Sequence, residues 1–89
     1  MNRKIASALL DDELQALRRS GYAALRARIG EQIVKEIAGP DRVSYQIEIL
    51  IVWDAAEDGA IRLLGSIDDG GLSTFVRPLT RDELIDPDP

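Results

Sequence analysis

The chain has 89 residues, no cysteine, no histidine and a formal net charge of −5. That length makes one domain with a small core. The missing residue types exclude disulfide staples, zinc fingers and triads built on Ser–His or Cys–His, and the acidic balance speaks against a nucleic-acid module, which needs a basic face for phosphate.

The charge is unevenly spread. Residues 1–30 hold six Lys/Arg and three Asp/Glu, a net of +3, whereas residues 31–89 hold five and thirteen, a net of −8. Arg18, Arg19, Arg26 and Arg28 give the first segment a basic face, read as solvated helix surface ahead of any nucleic-acid contact. The apolar stretch at 5–10 is cut off by Asp11-Asp12-Glu13. It is too short for a secretory signal or for the roughly 20 residues of a membrane span. The expectation is a cytoplasmic, soluble protein with no membrane partner.

In chain order, Leu10, Leu14 and Leu17 form one helical face, with acidic residues at 11–13 where a helix start favours negative charge and Arg18-Arg19 where its end favours positive. Gly21 suits the left-handed position that closes a helix, and Ser20 is a candidate cap for the next one. Tyr22, Leu25 and Ile29 make a second stripe, so this part reads as two short helices or one kinked at Gly21. Residues 1–10 read as an arm or first helical turn, 11–85 as a single α+β domain and 86–89 as a disordered tail.

After Gly30 the period changes to two. "EQIVKEIAG" is a strand, and "GPDR" at 39–42 is a hairpin turn with Pro40 and Asp41 at its central positions. In "VSYQIEILIVW" the residues Val43, Tyr45, Ile47, Ile49, Ile51 and Trp53 share one face. Ser44, Gln46 and Glu48 line the other, which turns apolar at Leu50 and Val52. Glu48 is expected to pair with Lys35 or Arg62 across the ladder. "DAAEDGA" is a loop turning at Asp58-Gly59, and "IRLLGSI" is a third strand in which Gly65 leaves a gap for a bulky ring such as Trp53. "LSTFVRP" reads as a fourth strand ended by Pro78. Thr80 with Glu83 three residues on is a capping box, which predicts a C-terminal helical turn. The expected architecture is α+β: one or two short N-terminal helices packed on a four-stranded antiparallel β meander, with a short C-terminal helical turn.

The stretch "GSIDDGG" is the one motif that invites a site. Its two aspartates are adjacent, whereas calcium loops alternate their carboxylates and close with a distant Glu. A phosphate cradle needs a helix directly after the glycines, and here a strand follows. S-x-D-x-G from Ser66 resembles the opening of the Asp-box of sialidase-like repeats, but Phe75 comes later than that box's aromatic. The turn reads as aspartates accepting from its own N–H groups while Gly70 and Gly71 supply positive φ. Glu48, Asp54, Glu57 and Asp58 read as solvated acidic positions, with no pocket that would set up paired-carboxylate chemistry.

At "YQIEILIVWD", "IRLLGSIDDGG" and "FVRPL", over roughly residues 28–80, the chain resembles a family of small bacterial proteins of unassigned function. The resemblance implies no activity, substrate or cofactor; it implies that Tyr45, Glu48, Trp53, Asp54 and the turn belong to one arrangement. Two functional expectations follow. The first is a non-enzymatic protein acting by association, as a homodimer or assembly subunit, through Leu50, Val52, Leu64 and Phe75 on the second sheet face or through an edge strand. The second is a small-molecule or carbohydrate-binding module using Trp53, Ser66, Asp68 and Asp69. Neither calls for a metal, a cofactor or catalytic residues.

Overall fold

In the computed structural model, which describes residues 1–70 and 78–87, the chain runs α1 (Arg3–Ser20), α2 (Tyr22–Arg26), β1 (Gln32–Ala38), β2 (Ser44–Trp53), β3 (Ile61–Asp68) and β4 (Leu79–Ile85). The strands lie in the order β1-β2-β3-β4 with each neighbouring pair antiparallel, which is the expected meander. No described helix is long and apolar enough to cross a membrane.

Helix α1 starts earlier than its acidic residues suggest. The Asn2 side chain accepts from the Ile5 N–H at 3.1 Å, an N-cap that satisfies one of the first turn's orphan donors. Asp11, Asp12 and Glu13 therefore sit mid-helix, and residues 3–10 belong to an 18-residue helix, about 27 Å long at ~1.5 Å per residue. The helix closes at Gly21, whose φ of 90° favours glycine and whose N–H donates to the Arg18 carbonyl at 3.1 Å. Ser20 does not cap α2; its hydroxyl donates back to the Leu17 carbonyl at 2.6 Å.

The β1–β2 connection holds Pro40 and Asp41 at its centre, as expected. The Arg42 N–H donates to the Gly39 carbonyl at 3.0 Å and the Gly39 N–H donates to the Val43 carbonyl at 2.9 Å, with Arg42 itself left-handed at φ 66°. This is a type I turn followed by a bulge residue.

The C-terminal helical turn is not formed. Leu79–Ile85 is strand β4, registered on β3 from Ile67↔Leu79 to Ile61↔Ile85. The Thr80–Glu83 capping-box signal is local, and it loses to a full ladder of cross-strand hydrogen bonds with Leu79 and Ile85 turned toward the core. The strand expected at 72–78 falls, apart from Pro78, outside the described residues. Of the expected tail, Asp86 and Pro87 have no regular structure and 88–89 lie outside the described residues.

The core lies between α1 and the inner face of the sheet. Ala6, Leu10 and Leu14 of α1 and Leu25 of α2 are fully buried against Tyr45, Ile47 and Ile51 of β2 and Ile61, Leu63 and Ile67 of β3. At Gly65 the α1 leucines pack directly on the sheet backbone. A Cβ there would lie 3.0 Å from Leu10 Cδ1, 3.4 Å from Leu14 Cδ2 and 3.2 Å from the Arg81 carbonyl oxygen. The gap expected to take the Trp53 ring is thus filled by α1 leucines, while Trp53 pairs with Ile61 at the end of the hairpin.

Charged residues on the inner face flank the helix instead of lying beneath it. Lys35 of β1 pairs with Glu13 at 3.1 Å. On the other side Arg81 of β4 donates to Asp11 at 2.5 Å and to the Ser7 hydroxyl at 2.8 Å, and Glu83 accepts from Gln15 at 3.1 Å and from Arg18. Gly65→Val is expected to destabilise the protein by about 1–3 kcal/mol through overpacking against Leu10 and Leu14, read as a lower urea midpoint with the far-ultraviolet spectrum unchanged.

Candidate functional site

Strand alternation puts a second set of side chains on the face turned away from α1. On β2 these are Ser44, Gln46, Glu48, Leu50 and Val52. The registers place Leu50 between Gln32 and Leu64, Val52 beside Arg62, Glu48 between Val34 and Ser66, and Leu84 beyond Arg62. Leu50, Val52 and Leu64 thus come together as the sequence suggests, and all three are half-buried. Two more apolar side chains join them: Val34, 57% exposed, and Leu84, 44% exposed. Phe75 lies outside the described residues. Val34 was readable from its parity, out of phase with Ile33 and Ile37, whereas Leu84 was hidden by the helical reading of its segment.

The patch is framed by acid. Glu36, Glu48, Asp68 and Asp82 belong to the same face, and Asp54 reaches it from the end of β2. Its single described cation is Arg62, which pairs with Asp54 at 2.7 Å and Asp82 at 3.0 Å. The hydrogen bond and charge of Asp54, then those of Asp82, raise the Arg62 pKa above its usual value. Neither expected partner reaches Glu48: Lys35 lies on the opposite face with Glu13, and Arg62 is engaged by the two aspartates.

In the acidic glycine turn Asp68 holds its own backbone as far as Gly70, while Gly71 lies outside the described residues. Asp68 Oδ1 accepts from the Gly70 N–H at 2.8 Å, and Gly70 has φ 67°. Asp69 pairs with the Met1 ammonium at 3.2 Å. Ser66 lies opposite Glu48 and Asp68 opposite Gln46, but Trp53 lies opposite Ile61. Trp53 and the turn therefore stand seven strand positions apart on the hairpin, about 23 Å at ~3.3 Å per residue. The structure does not bring Trp53, Ser66, Asp68 and Asp69 into one site.

Trp53 borders an open depression of about 530 Å³ with Tyr22, Arg26, Ile29 and Glu57. Two of its polar groups, those of Tyr22 and Arg26, hold the 54–60 loop to α2. The Tyr22 hydroxyl donates to the Gly59 carbonyl at 2.7 Å, and Arg26 donates to Asp58 at 2.7 Å. Of the other basic residues in the first segment, Arg18 pairs with Glu83 and Arg28 with Glu31 at 2.7 Å. Three of the four arginines that make up the basic face are thus spent inside the molecule. Among the described residues no three His, Cys, Asp or Glu side chains converge as a metal site.

At the other end of β2 the Tyr45 ring is buried beneath the β1–β2 turn and its hydroxyl donates to Asp41 Oδ2 at 2.7 Å. Only glycine fits at position 39, because a Cβ would come within 2.8 Å of the Tyr45 ring. The bond to Asp41, then burial, raise the Tyr45 pKa above its ordinary value of 10.0. The chain matches no protein-family model, no curated protein and no solved structure.

A raised folded pKa means that the Tyr45 contribution is whole below pH ~10, where the phenol is neutral in both states, and is lost as pH climbs from there through the folded value. Tyr45→Phe is expected to lower Tm by about 3–8 °C at neutral pH through the lost hydrogen bond. The gap from the parent protein should then narrow above pH ~10 in urea titrations.

Proposed function

We propose that this chain is a small cytoplasmic protein that works by association and not by catalysis, with a second copy or as a subunit of a larger assembly, and that the outer sheet face is its contact surface. The observation that carries this reading is the cluster of Val34, Leu50, Val52, Leu64 and Leu84 on a face against which no described element packs. A solvated antiparallel face ordinarily alternates to polar residues, and contiguous exposed apolar area marks an interaction surface.

The edges offer less. Unpaired edge strands invite strand addition, and inward-pointing charges discourage it. Lys35 on β1 and Arg81 and Glu83 on β4 are such charges, each tied to α1. That favours the face over the edge strands. The alternative, a small-molecule or carbohydrate site built from Trp53 and the 68–71 turn, loses its support with the distance between them.

Leu50→Ser/Leu64→Ser is the discriminating variant. Sedimentation equilibrium of the parent protein is expected to register self-association, or affinity capture to retain a partner that the double variant does not retain while its circular dichroism is unchanged. A strictly monomeric protein with no partner distinguished by the variant would sink the reading.

A further inference from the structure

The outer face is not electrically neutral, and its charge selects among occupants. Glu36, Glu48, Asp54, Asp68 and Asp82 stand against Arg62 alone, five carboxylates to one guanidinium among the described residues. Two copies stacked through this face would bring like excesses together across about 10 Å, roughly one Debye length at physiological salt. Docking onto the helical layer of a second copy meets a different obstacle. Leu10 and Leu14 are buried in their own core, and half of that layer's cations, Arg18, Arg26 and Arg28, are already paired, which leaves Arg3, Lys4 and Arg19. Such a head-to-tail contact also leaves each molecule's own face open for the next copy, so it grows without closing.

The inner face is the internal precedent for what fits. There the apolar centre of the sheet takes the apolar stripe of a helix, and the charges beside the stripe pair with charges on the edge strands: Glu13 with Lys35, Asp11 with Arg81, Arg18 with Glu83. The outer face repeats that plan with an excess of one sign. Its apolar centre runs from Val34 through Leu50 and Leu64 to Leu84; Glu48 and Asp82 border it on one side, and on the other Arg62 is held by Asp54 and Asp82. Resting on the association reading above, we infer that the occupant of the outer face is an amphipathic helix of a different protein, with an apolar stripe bordered by lysine or arginine, laid across the sheet opposite α1. Apolar burial would supply the affinity, and the carboxylates would set orientation and exclude acidic partners.

The test uses the whole protein and a probe of defined chemistry. One peptide of about 18 residues places leucine on one helical face and lysine on the other. A second has the same composition in an order that scatters the leucines. The first is expected to bind at least about tenfold more tightly. It should shift the amide resonances of Val34, Leu50, Leu64 and Leu84, and weaken about tenfold between about 50 and about 300 mM salt. Leu50→Ser/Leu64→Ser should remove the preference. If that variant does not fold, Glu48→Gln/Asp82→Asn, which leaves the core untouched, should reduce both the affinity and its salt dependence. Equal binding of the two peptides, insensitivity to salt, or shifts confined to the helical layer would overturn the inference. Self-association through the outer face without peptide preference would overturn it and leave the association reading standing, whereas a monomer that binds neither peptide would overturn both.

Discussion

The seating of α1 on Gly65 governs the rest of the molecule. One helix about 10 Å wide must cover a sheet whose four strands span about 14 Å at ~4.8 Å spacing. It cannot cover all of it. The inner positions of β2 and β3 take the buried isoleucines and leucines, and on β1 and β4 the charged inner positions, Lys35, Arg81 and Glu83, rise past the sides of the helix. Lys35, Arg81 and Glu83 are therefore not misplaced polar residues on an apolar face. They sit where the helix ends and water begins, with their stems on the sheet and their charged ends on α1.

This arrangement does two jobs with one set of residues. Exposed ion pairs contribute little to stability, about 0–1 kcal/mol each, so the flanking pairs are better understood as fixing the lateral position of α1 over Gly65. They also put charge on the inner side of both edge strands, where a foreign strand would have to bury it. With the edges guarded and the inner face filled, the apolar cluster of the outer face is left without a described element against it.

Much of this was legible from parity. The alternation in β2 gave both faces of the sheet and the position at which the second turns apolar, and Leu50, Val52 and Leu64 came out together as that pattern requires. The same parity applied to "QIVKEIA" puts Lys35 with Ile33 and Ile37 on the inner face, away from Glu48. Two features were not legible. The α1 start rests on a single Asn2 cap, while the acidic residues that resemble a first turn serve Arg81 and Lys35 instead. Strand β4 carries apolar residues only at the ends of its inner row, because its middle inner positions are the ones beside the helix. A local capping box is then easier to see than a strand whose ladder partner lies more than ten residues back.

The uneven charge along the chain also takes on a different meaning in three dimensions. In the basic first third, Arg18, Arg26 and Arg28 close ion pairs with acidic residues further along the chain. On the outer sheet face, what survives the pairing among the described residues is acid, and it borders the apolar patch. An open patch of Val34, Leu50, Leu64 and Leu84 would by itself favour stacking of copies in solution. The surrounding carboxylates oppose that stacking by like-charge repulsion while leaving the patch open to a basic surface. On the association reading proposed above, the acidic excess lets an apolar surface be carried without a constant cover, and the same charges select which cover it accepts.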